Sequence, residues 1–271
     1  MKRLFSAAGF SAAAVFVTVF GLSACNNSAS DSTQESSDST STAVMTIEPM
    51  TSSPKFPDAV LSIAGLTAKM KGKDSATVTI KYKVENYQLT GQTEDAAHKG
   101  CSNSKDGQHI HFILDNQPYV ALYRPENTFV VPVNQPQYLM SFLSRSYHES
   151  VKAPKAGVLL HFSVDKNGKV NKLADPVTPM LFYSRPKGEY AGADARNILL
   201  DFYVYHADLG KNALVKAIVN DTSFSIDKWQ AYFIKNAPEG DLKISLQLTD
   251  TAGVPLSGDN TAVSRTVKVK P

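Results

Sequence analysis

Three of the six histidines and one of the two cysteines fall in a single stretch of this chain: His98, Cys101, His109 and His111. If residues 109–114 form a β-strand, His109 and His111 project from one face while Ile110, Phe112 and Leu114 project from the other. Imidazole and thiolate are the ligands that suit copper or zinc. We therefore expect a metal site with His109 and His111 as ligands, completed by Cys101, His98 or His148.

The same surface supports a second reading. Arg145, Tyr147 and Tyr123, together with His109 and His111, would make a cationic, hydrogen-bonding patch for a carboxylate or phosphate on a peptide or glycan. A third reading leaves the histidines as surface residues and Cys101 as a buried space-filler, since free cysteine is among the most buried residue types. Catalysis has less support. A Cys101/His nucleophile pair needs an orienting group and an oxyanion site, and the sequence carries no G-x-S-x-G, no H-E-x-x-H and no phosphate-binding glycine loop. A further polar and aromatic cluster, Tyr183-Ser184-Arg185-Pro186-Lys187-Gly188-Glu189-Tyr190, reads as linker packing or as a groove for a partner.

The elements that must position these residues are short strands. From Val44 onward apolar residues alternate, turn clusters recur every 8–15 residues, and no run has helical period; Val78, Ile80, Tyr82 and Val84 show the alternation best. The pattern also repeats. Val78, Ile80, Tyr82, Val84 and Leu89 overlie Ile198, Leu200, Phe202, Val204 and Leu209 at an offset of 120. Ile113 to Asn116 then overlie Ile218 to Asp221 at 105, and Phe129-Val130 and Met140-Ser141-Phe142 overlie Phe233-Ile234 and Ile244-Ser245-Leu246 at 104. Such ordered self-similarity indicates a tandem duplication. Each copy has room for about seven strands, which suits an all-β fold of two immunoglobulin-like antiparallel β-sandwiches. Trp229 reads as packing rather than as a sugar platform.

The copies differ between their second and third strands. Residues 90–108 of the first stand where the second has only Gly210-Lys211-Asn212-Ala213. Val215, Ala217 and Val219 underlie Ile110, Phe112 and Leu114, so the two imidazoles are expected to point out of the core. Strands C and F adjoin in such a sheet, which would bring Arg145, Tyr147 or His148 toward them.

Met1-Lys2-Arg3 followed by the uncharged residues 4–22 has the form of an export signal. Leu22-Ser23-Ala24-Cys25 resembles the lipobox of bacterial lipoproteins. That resemblance implies cleavage before Cys25 and its acylation, with palmitate among the chains, leaving the protein on a membrane without crossing it. Asn26 after the cysteine resembles the signal for the outer membrane if the cell is Gram-negative. Residues 26–42, rich in Ser and Thr, cannot bury enough apolar surface to fold and form a tether. Residues 108–119 and 182–190, with the strand rhythm, resemble secreted bacterial proteins built of tandem immunoglobulin-like units, which implies no particular activity.

The expected organisation is therefore a signal peptide at 1–24, the lipidated Cys25 and its tether at 25–45, a first sandwich at 46–170 with its insertion at 90–108, and a second at 171–271. Of 28 Lys+Arg, Lys2 and Arg3 leave with the signal, so the remaining 26 nearly balance 25 Asp+Glu; no nucleic-acid surface is indicated. The expectation is a cell-envelope lipoprotein that binds rather than catalyses, its partner an envelope protein, peptide or glycan and its site on the first sandwich. A copper- or zinc-binding protein and an architectural envelope component are the alternatives.

Overall fold

The computed structural model describes residues 43–271. The signal peptide, Cys25 and residues 26–42 of the tether lie outside the described residues. Residues 43–271 form one compact unit, all-β apart from single helical turns at Ala96–His98 and Ala193–Arg196. Among the described residues no helix is long and apolar enough to cross a membrane.

The chain runs β1 (Thr46–Pro49), β2 (Val60–Lys71), β3 (Ser75–Glu85), β4 (His109–Leu114), β5 (Val120–Leu122), β6 (Glu126–Pro132), β7 (Gln137–Ser144), β8 (Gly157–Val164) and β9 (Val170–Lys172). It continues through β10 (Met180–Arg185), β11 (Glu189–Tyr190), β12 (Ile198–Tyr205), β13 (Leu214–Val219), β14 (Thr222–Ile226), β15 (Tyr232–Lys235), β16 (Gly240–Thr249) and β17 (Ala262–Val269). In the first half a β2-β3-β6 sheet faces a β5-β4-β7-β8-β9 sheet; in the second a β10-β12-β15 sheet faces β14-β13-β16-β17. Seven strands of each half correspond in order at the offsets seen in the sequence, β9 of the first and the short β11 beside β17 of the second having no counterparts. The duplication is thus expressed as two immunoglobulin-like sandwiches in tandem.

Alternation fills each core. Val78, Ile80 and Tyr82 of β3 meet Ile110 and Phe112 of β4, with Leu139, Leu143, Leu160 and Phe162. Leu200, Phe202 and Val204 meet Val215, Ala217, Ile244 and Leu246 in the second half. Tight turns need left-handed residues, and they stand at matching places: Asp115 and Asn116 have φ 47° and 56°, and Asn220 has φ 50°.

Two features depart from the expected organisation. Residues 46–49, assigned to the first sandwich, instead form β1 on the edge of the second, with Ile47 opposite Ile234; the open edge of β15 offers a partner, while β2 begins only at Val60. The second departure concerns the two sandwiches together. Ile113, Tyr119, Met140 and Phe142 pack on Met180, Phe182 and Tyr203, so the outer face of the β4/β7 sheet is covered by the outer face of the β10/β12 sheet. Every residue of β10 is buried, as is all of β12 but Tyr205. Asn116, at the turn after β4, locks the junction: its Nδ2 donates to the Leu181 carbonyl, and its Oδ1 accepts from the Tyr183 amide.

Candidate metal centre

His109 and His111 do leave the core of the first sandwich, as their alternation requires. They enter the junction rather than solvent, and both are fully buried. The expectation of solvent-facing imidazoles is corrected: the second sandwich caps that face.

His148 joins them from the turn after β7. Its backbone is left-handed, φ 70°, closed by hydrogen bonds between Arg145 and residues 148 and 149. That conformation costs a residue with a Cβ on the order of 1–2 kcal/mol, and such outliers cluster at functional sites. It carries Nδ1 of His148 to 3.1 Å from Nε2 of His109, which lies 2.9 Å from Nε2 of His111. The ligand atoms of the three rings lie within 4.8 Å of one another.

Each strand histidine is held by its other nitrogen. Nδ1 of His109 donates to the Gly107 carbonyl at 2.8 Å, and Nδ1 of His111 meets the Ser184 hydroxyl at 2.9 Å. Because a carbonyl only accepts, the proton of neutral His109 sits on Nδ1 and leaves Nε2 bare. Both other rings approach that one lone pair. Nε2–H of His111 can donate to it while Nδ1 of His111 accepts from the Ser184 hydroxyl; Nδ1 of His148, with its proton on Nε2, then turns its own lone pair toward the same nitrogen and accepts from the Tyr119 hydroxyl. A cation among the three nitrogens would take up the lone pairs that His109 and His148 turn toward each other, with Ser184 and Gly107 as the outer partners that orient metal-binding histidines.

The rings are neutral. Burial pushes His109 down to about 4, aided by the Arg185 guanidinium. Burial and then Arg185, His109 and Lys187 push His148 down to about 2. His111 lies well below the usual imidazole value because of burial, its two neighbours and both cations. Tyr119 stacks on His111 with centroids 3.7 Å apart, and its hydroxyl is 3.3 Å from Nδ1 of His148. Burial holds that phenol up at about 12, so it remains a donor.

The other expected ligands stand elsewhere. His98 sits on the exposed turn of the insertion. Cys101 packs against the cluster of Met50, Tyr147, Leu199, Ala231 and Phe233, and burial pushes its thiol up to about 12, making it a poor thiolate. The anion patch does not form. Arg145 is spent internally on the Ser150 and Pro54 carbonyls and on Glu149, Tyr147 is fully buried, and the Tyr123 hydroxyl shares a 2.6 Å bond with Ser104. Tyr119, Ser184 and the cations Arg185 and Lys187 escaped sequence reasoning as members of this site. Their one signal was the polar and aromatic run at 183–190, which has no spacing relation to 109–111.

No family model matches the chain, and no curated protein matches it. Among solved structures it is similar to the fibronectin(III)-like modules of Clostridium thermocellum CbhA, at 16% identity over 78% of this chain and 93% of that one, with a TM-score of 0.25.

Proposed function

We propose that the protein is an exported, membrane-tethered binding protein of the cell envelope that holds one zinc or copper ion on His109, His111 and His148. The observation that carries the reading is the convergence of three neutral imidazole nitrogens within 4.8 Å of one another, with the lone pairs of His109 and His148 turned toward each other. An all-imidazole set suits both metals. Metal–nitrogen bonds of about 2.0–2.1 Å in tetrahedral geometry separate nitrogens by roughly 3.3 Å; the pairs that His109 makes with His111 and His148 stand at 2.9 and 3.1 Å, and all three atoms lie within 4.8 Å of one another. Deep burial supports retention of the ion rather than turnover of a substrate, which favours binding over catalysis.

Purified protein stripped with chelator and reloaded should take up one zinc or copper per chain by elemental analysis. A His109→Ala/His111→Ala variant should lose that ion, while His98→Ala and Cys101→Ser should keep it. Equal occupancy in the double variant would overturn the reading. The tether rests on the lipobox-like Leu22-Ser23-Ala24-Cys25. Palmitate labelling of expressing cells should mark the native chain and not Cys25→Ser; a label that survives the substitution removes the anchor.

A further inference from the structure

Arg185 and Lys187 lie beside the histidine triad and Arg265 beside Tyr183 and Tyr119, and none of the three has a carboxylate within ion-pair distance among the described residues. Buried cations are normally paired, because an unpaired one carries its desolvation cost uncompensated. Of the three, Arg185 is buried, at 6% exposed, Arg265 is half-buried and Lys187 is exposed, so the cost of burial falls on the two arginines.

Aromatic faces supply part of the compensation. The Arg265 guanidinium lies 4.4 Å from the centre of the Tyr183 ring, the Lys187 ammonium 4.5 Å from that of Tyr119, and the Arg185 guanidinium 5.7 Å from that of Tyr190. Carbonyls take some of the protons: Lys187 donates to Tyr119, and Arg265 to Asn116 and Gln117. Donors are left over. Nε of Arg185, Nη1 of Arg265 and the Tyr183 hydroxyl are all buried without a partner. Unsatisfied buried polar groups are uncommon, and three in one neighbourhood point to a missing acceptor. The groups are close enough to act on one another, since Arg185 and Arg265 both push the Lys187 ammonium down, after burial.

We propose that Tyr183, Arg185, Lys187 and Arg265 form a binding site for one small oxyanion, a carboxylate, sulfate or phosphate group, at the junction of the two sandwiches. Such a group presents at least two acceptor oxygens, matches a guanidinium in geometry and charge, and supplies the acceptor that the leftover donors lack. The cluster is the run at 183–190 joined by Arg265 from β17, and the site does not depend on the metal.

The test is calorimetric titration of chelator-treated protein with inorganic phosphate, sulfate and acetate in low-salt buffer. At least one should bind saturably at one per chain, and the ranking of acetate against phosphate and sulfate tells a carboxylate site from a tetrahedral-oxyanion site. Arg185→Gln and Arg265→Gln should each weaken binding about tenfold or more, as loss of a charged hydrogen bond implies. The His109→Ala/His111→Ala variant should bind the anion as the native chain does, which separates this site from the metal site. If circular dichroism shows that an arginine variant does not fold, Lys187→Met provides the comparison. Failure of all three anions to saturate, or unchanged affinity in the folded variants, overturns the proposal.

Discussion

An Asp201→Ala chain should be about 3–5 kcal/mol less stable than the native one, the loss measured when one partner of a buried ion pair is removed. Asp201 is fully buried on β12, in the second sandwich, and its partners come from the first. Its Oδ1 accepts from the Ser150 hydroxyl at 2.9 Å and from the Lys152 ammonium at 2.7 Å. Lys152 also donates to Ser150 Oγ at 2.7 Å. Because Lys152 and Ser150 of the first sandwich both hold Asp201 of the second, the trio is a latch across the junction. Removing the carboxylate strands an ammonium whose side chain is only 15% exposed. Asp208–Lys211 is the control, because its side chains are 57% and 79% exposed; exposed pairs contribute about 0–1 kcal/mol. Urea unfolding with two spectroscopic probes reads both. Combining Asp201→Ala with Lys152→Met should recover part of the loss, since the stranded charge goes too. A loss below 1 kcal/mol for Asp201→Ala would mean the junction does not depend on the latch.

The same junction explains what the sequence could and could not reveal. Alternation at Val78, Ile80, Tyr82 and Val84 is a local signal, and it marks which side of β3 faces a core. The duplication was legible because both copies repeat that signal in one order, and the strand pairing follows it. Which sheet face another sheet covers is not local. His109 and His111 sit opposite Ile110 and Phe112, and alternation alone assigns such positions to solvent. The contrary signal lay in other strands: Met180-Leu181-Phe182-Tyr183 and Ile198-Leu199-Leu200 are continuous apolar runs, as expected of strands buried on both faces. Of the expected ligands, His109, His111 and His148 meet because β4 adjoins β7 and the following turn folds back. That return depends on one left-handed residue, which no spacing rule foretells. Cys101 and His98 were close to the pair in number only; the insertion turns the thiol toward Tyr147 and leaves the imidazole in water.

The largest solution effect expected of the triad is acid sensitivity of the metal-free protein. All three rings are neutral in the fold, with His109 at about 4 and His148 at about 2, against roughly 6.5 in an unfolded chain. Depressed folded values mean that the unfolded state takes up protons the native state refuses. Their contribution is complete above pH 6.5 and is lost as the pH falls toward 4. Each ring then contributes about 1.4 kcal/mol per pH unit, so three give roughly 4 kcal/mol per unit, or about 6 kcal/mol by pH 5. That approaches the whole stability of an ordinary domain, about 5–15 kcal/mol. Among the groups facing the rings, Arg185 opposes protonation of all three, Lys187 opposes it at His111 and His148, and Tyr119 is a neutral phenol; at His109 the Gly107 carbonyl and Asp106 favour the proton, and burial outweighs them. Urea midpoints of chelator-treated protein should therefore fall steeply between pH 7 and pH 5, and a His148→Asn variant should lose about a third of that slope. Midpoints that stay level across this interval would show that burial does not hold the imidazoles neutral.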